Sequence, residues 1–243
     1  MPITAQERIL VALDVPTLCQ ALQLVEQLRG RVGGFKVGLE LCHSAGTNQV
    51  IDAISAAGGA VFLDIKLKDI PNTVAGATRA VSRPGVMIFN VHCDGGAAMM
   101  RAAVAAAREA TPQPPLIIGV TLLTSLGAAE LHADLAVAED VESYVVRMAR
   151  LAQEAGLDGV VTSAHEVRSI KRACGEQFIT VTPGIRPRWA AGSDHRRALT
   201  PAQALAAGSD YLVIGRPITS PPPEIGDPAA AVERILAEIE GER

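Results

Sequence analysis

The 243-residue chain is short of aromatic side chains: one Trp, two Tyr and four Phe make up 3% of it. Proteins that hold single-stranded nucleic acid stack bases on aromatic platforms, and Trp189 with its few scattered companions supplies none. Positive charge is not in excess either. A formal net charge of −4 and a sequence pI near 5.8 give no general attraction to nucleic acid or to an anionic membrane, so any anion site has to be a local cluster. The four cysteines, Cys19, Cys42, Cys93 and Cys174, form no C-x-x-C pair. That spacing excludes a zinc ribbon and argues against a disulfide framework, leaving reduced thiols in a cytoplasmic protein as the expectation. Long apolar runs are also missing. The run ILVAL stops at Asp14 with no small-residue cleavage pattern behind it, contrary to a signal peptide, and no uncharged run reaches the ~18 to 20 residues of a membrane span.

What the chain does have is core material: 49% of its residues are hydrophobic and 20% charged, enough for a large globular domain. Short β-branched runs recur at 8–15, 33–39, 60–67, 86–92, 116–123, 157–163, 178–184 and 211–217. Helical stretches separate them, among them TLCQALQLVEQLRG, GGAAMMRAAVAAAREA, DVESYVVRMARLAQEAG and PAQALAAG, and DPAAAVERILAEIEGE follows the last run. This alternation predicts a single (β/α)₈ barrel domain over residues 1–243, since such barrels take about 250 residues. An open doubly wound sheet is the competing architecture, but no G-x-G-x-x-G turn follows the first run. The Pro-rich piece TSPPPEIGDP (219–228) falls between the last strand and the last helix and is expected to be a surface loop, not a linker.

The stretch FLDIKLKDIPNT (62–73) sets charges inside a strand pattern, and burying charge is costly. Alternation puts Val61, Leu63, Ile65 and Leu67 on one face and Phe62, Asp64 and Lys66 on the other. In a barrel the first set meets the helices. The second points inward, and Asp64 and Lys66 do so near the carboxyl end, where active sites of this architecture lie. The same parity sends Phe35, Val37 and Leu39 outward with Lys36 inward, and Val11, Leu13 and Val15 outward with Asp14 inward. Neighbouring strands thus bring Asp14, Lys36, Asp64 and Lys66 to one mouth, with signs that offset one another. Lys68 lies past the strand end and is expected at the surface. Asp69 opens the turn DIPNT, in which Pro71 fixes the backbone and Asn72 or Thr73 is expected to cap the next helix.

The local basic cluster lies after the seventh strand. The segment PGIRPRWAAGSDHRRALTP carries Arg186, Arg188, His195, Arg196 and Arg197, and the eighth strand runs into Arg216. Loops after strands seven and eight of these barrels often bind phosphate, and Gly184 and Gly215 let backbone approach such a ligand. The AAGS piece reads as a lid that folds over it. His92, inward by parity on strand four, reads as a hydrogen-bonded core residue.

In order and spacing, VALDV, FKVGLEL, FLDIKLKDIPNT, NVHCDGG, VTLLTS, PGIRP…DHRR…TP and IGRPI resemble the bacterial type of orotidine 5'-phosphate decarboxylase, from about residue 8 to residue 240. D-x-K-x-x-D alone is shared with sugar-phosphate relatives of the superfamily; followed by I-P-N-T it is far more specific. The resemblance implies decarboxylation of orotidine 5'-phosphate to uridine 5'-phosphate, the last step of pyrimidine nucleotide synthesis, with neither metal nor organic cofactor. Carried over by position, it implies a charged array of Lys36, Asp64, Lys66 and Asp69, with Lys66 the proton donor to C6 and Asp64 beside the substrate carboxylate. Asp69 would reach into a neighbouring subunit's site and Thr73 would touch that site's ribose, which implies a homodimer with shared sites. Asp14 and Lys36 would hold ribose hydroxyls, Thr124 the pyrimidine, and Arg186, His195, Gly215 and Arg216 the phosphate region. The family usually has Gln where this chain has His195, a shorter side chain that titrates near neutrality.

Loss of CO₂ from C6 leaves an electron pair in an sp² orbital that no adjacent carbonyl delocalises, so a fixed positive charge beside that carbon is the remedy. Two other readings compete. A metal-dependent sugar-phosphate decarboxylase or synthase of the same superfamily needs Mg²⁺ and a set of acids, whereas Lys36 and Lys66 put cations at this mouth. A non-catalytic nucleotide-binding barrel has no use for the full charged array.

Overall fold

Eight runs of aliphatic residues pair in parallel and close on themselves in the computed structural model, which describes residues 3–190 and 199–241. The strands are β1 (Ile9–Ala12), β2 (Gly34–Val37), β3 (Val61–Leu67), β4 (Val86–His92), β5 (Leu116–Val120), β6 (Gly159–Val161), β7 (Ile179–Thr182) and β8 (Tyr211–Ile214). Their order in the barrel is their order in the chain, and β1 closes on β8 with Leu10 level with Val213. That closure excludes the open doubly wound sheet. The described helices are α1 (Leu18–Leu28), α2 (Leu39–Ala45), α3 (Thr47–Ala56), α4 (Pro71–Val81), α5 (Ala97–Ala110), α6 (Ala128–Ala133), α7 (Val141–Glu154), α8 (Val167–Cys174), α9 (Pro201–Ala206), α10 (Arg216–Thr219) and α11 (Pro228–Gly241). None is long and apolar enough to cross a membrane, and all four cysteines are free thiols.

Alternation divides the core into two layers. Ile9, Val11, Phe35, Val37, Val61, Leu63, Phe89 and Val91 join the helix-side layer, while Leu10, Ala12, Phe62, Ile88, Ile118, Val181 and Val213 fill the barrel. Close backbone approach is needed where β6 meets β7: a Cβ on Gly159 would stand 2.1 Å from the Ile179 carbonyl oxygen, so only glycine fits.

The strands are shorter than the apolar runs that encode them, because those runs continue into the loops at the carboxyl end. Leu13 stays buried and donates its N–H to the Lys36 carbonyl although β1 has ended at Ala12. Leu39, expected outward on the second strand, instead opens α2 and is 49% exposed. The cap expected from Asn72 or Thr73 is also absent. Ile70 is the N-cap of α4 and gives no side-chain bond; Pro71 starts the helix, its fixed φ and missing N–H suiting the first position. Asn72 and Thr73 therefore lie in the first turn with exposed side chains.

One irregularity bears on the site. Leu63 is level with Phe89 and Leu67 with Val91, so Asp64, Ile65 and Lys66 face Asn90 alone. The bulge adds two residues and not one, so Leu67 keeps the outward face of Leu63 and the parity of the whole strand survives. Lys66 takes up the slack in the left-handed region, φ 49°, at a cost of roughly 1–2 kcal/mol for a side chain with a Cβ.

The opposite end of the barrel is stapled by an ion pair whose lysine is buried and whose aspartate is partly buried. Lys171 on α8 is 5% exposed, and its ammonium donates to the carbonyls of Glu176 and Phe178 and to Asp210 Oδ2 at 2.7 Å. Asp210 Oδ2 also accepts from the N–H and hydroxyl of Thr180. The pair ties α8 to the starts of β7 and β8.

Candidate active site

Three strands deliver four charges of alternating sign to the carboxyl-end mouth. Lys36, on β2 and only 9% exposed, donates to Asp14 Oδ1 at 2.7 Å and lies 3.7 Å from Asp64 Oδ2. Lys66 Nζ donates to the other oxygen, Asp64 Oδ1, at 2.7 Å. The order is Asp14, Lys36, Asp64, Lys66, each charge beside its opposite, which is how a partly buried set is tolerated. Asp14 is the solvent end of this chain of ions, its side chain 60% exposed, whereas Asp64 is held at 15%. Gly38 adjoins the Lys36–Asp14 pair: a Cβ there would stand 3.2 Å from Lys36 Nζ and 3.5 Å from Asp14 Oδ1.

Asn90 joins this set, and the sequence reading passed over it. It is fully buried, inward on β4, with hydrogen bonds of 2.7 Å to Asp64 Oδ1 and from the Lys66 N–H. A polar residue with inward parity beside Asp64 was the available signal. His92, also inward on β4, is half-buried with Nδ1 3.7 Å from Asp94 Oδ1. Burial, the largest influence, lowers its pKa below the usual histidine value despite that carboxylate, so the ring is neutral at pH 7 and adds no third cation. Lys68 pairs with Asp94 at 2.6 Å on the surface, as expected of a residue past the strand end.

Asp69, Thr73 and Thr124 are not drawn into the ion set. Among the described residues, the hydrogen bond made by the Asp69 carboxylate is from the Ile70 N–H, 2.6 Å. Asp69, Ile70, Asn72 and Thr73 form an exposed edge with Ile70 66% open. Thr124 is exposed in the loop after β5.

Arg186 lies in the loop after β7, and Arg216 follows β8 as the first residue of α10. Burial, and then the Arg216 guanidinium, both press the Arg186 pKa downward. Among the described residues no ion pair joins either to a carboxylate, and the two like charges stand close enough for the Arg216 guanidinium to disfavour the Arg186 cation. Such an arrangement fits a ligand that brings its own negative charge. Gly184 has φ 78°, a conformation that glycine adopts freely. At Gly215 the protein itself leaves room for a side chain, since a Cβ would meet only Ala12 Cβ at 3.5 Å. His195, Arg196, Arg197 and most of the expected AAGS lid lie outside the described residues.

Comparison with known proteins agrees with this geometry. Residues 7–235 match the model of the "Orotidine 5'-phosphate decarboxylase / HUMPS family". The chain is 51% identical to an orotidine 5'-phosphate decarboxylase of Moorella thermoacetica, over 97% of this chain and 93% of that protein. A relative of the same name in Heliobacterium modesticaldum is 47% identical, over 97% and 96%. Among solved structures, orotidine 5'-phosphate decarboxylase from Lactobacillus acidophilus superposes with a TM-score of 0.82 at 34% identity, covering 95% of this chain and 98% of that one. With the barrel closed, the D-x-K-x-x-D strand at its mouth and relatives matching nearly end to end, the chain belongs to the orotidine 5'-phosphate decarboxylase / HUMPS family.

Proposed function

We propose that this mouth decarboxylates orotidine 5'-phosphate and that Lys66 hands the proton to C6. The reaction follows from relatives of that name at 43–51% identity over nearly the whole chain, which favours it over the sugar-phosphate branch. The observation that carries the residue assignment is the row Asp14, Lys36, Asp64, Lys66, whose last ammonium stands 2.7 Å from a carboxylate with 15% of its side chain exposed. As the bond between C6 and the carboxylate breaks, CO₂ leaves and the electron pair stays on C6. The Lys66 ammonium stabilises that pair, then donates its proton to it, and uridine 5'-phosphate results. Asp64 holds Lys66 and faces the departing carboxylate. Asp14 and Lys36 take the ribose hydroxyls and Thr124 the pyrimidine.

Arg186 and Arg216, with the open backbone at Gly215 and with His195, take the phosphate. Phosphate contacts are remote from C6, so their binding energy serves to organise the site. Arg216→Ala is expected to lower kcat/KM about 30- to 150-fold, as for loss of a charge-assisted hydrogen bond of about 2–3 kcal/mol, mostly through KM. Steady-state loss of orotidylate absorbance measures it, and unchanged kinetics would remove Arg216 from the phosphate site.

The protein acts as a homodimer with shared sites, Asp69 and Thr73 completing the site of the other subunit. The exposed edge of Asp69, Ile70, Asn72 and Thr73 supports this, as does an Asp69 carboxylate without a cation among the described residues of its own chain. Mixing inactive Asp69→Ala and Lys66→Ala subunits decides it. In a mixed dimer one site keeps both residues if Asp69 acts across the interface, so random exchange restores about a quarter of wild-type activity. If Asp69 acts within its own chain, no activity returns. Four free thiols fit a cytoplasmic location.

A further inference from the structure

β3 and β4 fall out of step beside the reacting lysine, and one side chain spans the gap. Lys66, turned into the left-handed region, takes its N–H out of the strand ladder and donates it to Asn90 Oδ1 at 2.7 Å. A backbone N–H can only donate, so the carbonyl end of the amide faces Lys66 and the NH₂ end must face Asp64. There Nδ2 donates to Asp64 Oδ1 at 2.7 Å, the oxygen that also accepts from Lys66 Nζ at 2.7 Å. Asn90 is wholly buried and its backbone is locked in register with Ile118 of β5.

We infer that Asn90 is a positioning residue for the decarboxylation: it holds Lys66 in its left-handed turn and Asp64 in the rotamer that receives the ammonium, so the proton donor is aimed before substrate enters. This rests on the reading of Lys66 as that donor. An amide suits the place because one short planar group supplies both an acceptor and a donor. Alanine supplies neither, and an ionised carboxylate supplies acceptors only. Lys66 is free to leave the left-handed region once its N–H has no partner, and Asp64 is free to rotate. A displacement of about 1 Å in a catalytic group costs on the order of 100-fold in rate.

Two variants separate positioning from plain structural support. Asn90→Ala is expected to lower kcat about 100-fold while the dissociation constant of uridine 5'-phosphate, measured by calorimetry, moves less than about threefold, because no nucleotide contact is lost. Asn90→Asp keeps the shape and gives a pH signature. The titratable groups facing the introduced carboxyl are Asp64 and Lys66 on β3, Lys36 beyond Asp64 on β2, and neutral His92 on its own strand, while β5 presents Ile118. Full burial and Asp64, the group in direct contact, raise the pKa of that carboxyl, and the Lys36 and Lys66 ammoniums, each already paired with an aspartate, oppose this only in part. Below it the neutral acid donates to Asp64 as the amide does, and above it two carboxylates repel. The kcat of Asn90→Asp should therefore recover toward wild type as pH falls, with no such recovery in Asn90→Ala. Wild-type kcat in Asn90→Ala, or an Asn90→Asp profile parallel to that of the wild-type protein, would overturn the inference. Near-normal turnover of Lys66→Ala would instead remove the underlying reading of the donor.

Discussion

Lys66→Ala is expected to lower kcat by about 10⁵-fold, close to 7 kcal/mol of barrier, while uridine 5'-phosphate still binds. The size follows from two roles lost together. A positioned proton donor contributes about 10²–10⁴-fold, and a fixed charge aimed at developing negative charge about 10²–10³-fold. Binding should survive because the anchors proposed for the nucleotide, the Lys36–Asp14 pair at 2.7 Å and the arginines that follow β7 and β8, keep their own side chains in this variant. Asp64 also survives in place, since Asn90 Nδ2 still donates to it and Lys36 lies 3.7 Å away. Single-turnover decarboxylation and product calorimetry separate the two effects; a turnover within tenfold of wild type would sink the assignment.

The second large effect concerns stability at the other end of the barrel. Asp210→Ala is expected to destabilise the fold by about 3–5 kcal/mol, the usual result of leaving one partner of a buried ion pair uncompensated. For a chain of this size that is a Tm lower by roughly 10 °C. Lys171 at 5% exposure would keep two carbonyl acceptors but no counter-charge, and the Thr180 N–H would lose its acceptor. Removing both charges in Lys171→Met with Asp210→Leu should cost less than the sum of the single changes, because no lone charge stays buried. Turnover per folded molecule should hold in these variants, as the pair sits at the amino ends of β7 and β8, away from the mouth. Calorimetric melting and assays at 25 °C test both statements; a Tm within about 2 °C of wild type for Asp210→Ala would show the pair to be dispensable.

Much of the charged mouth was legible from alternation alone. Asp64 and Lys66 share a face because Leu63, Ile65 and Leu67 claim the other, and β3 honours that parity even through its bulge. The caps were less legible. Asn72 and Thr73 are good capping types, but Pro71 sets the helix start two or three residues earlier than they would, and propensity yields to a fixed φ. Leu39 misled because an apolar residue after a strand reads as more strand, whereas β2 stops at Val37 and Gly38 is already the N-cap of α2.

Local sequence by itself determined the eight-fold repeat, the inward charges and the strand motif that marks the family, because each depends on residues close together in the chain. The tertiary structure alone decided which oxygen of Asp64 meets which lysine, that Arg216 stands close enough to Arg186 to bear on its charge, and that Asn90 grips both Asp64 and the turned backbone of Lys66. Those depend on register between strands: Lys66 and Asn90 stand 24 residues apart in sequence and 2.7 Å apart in space. Register emerges only when the barrel closes and all eight ladders satisfy one stagger together.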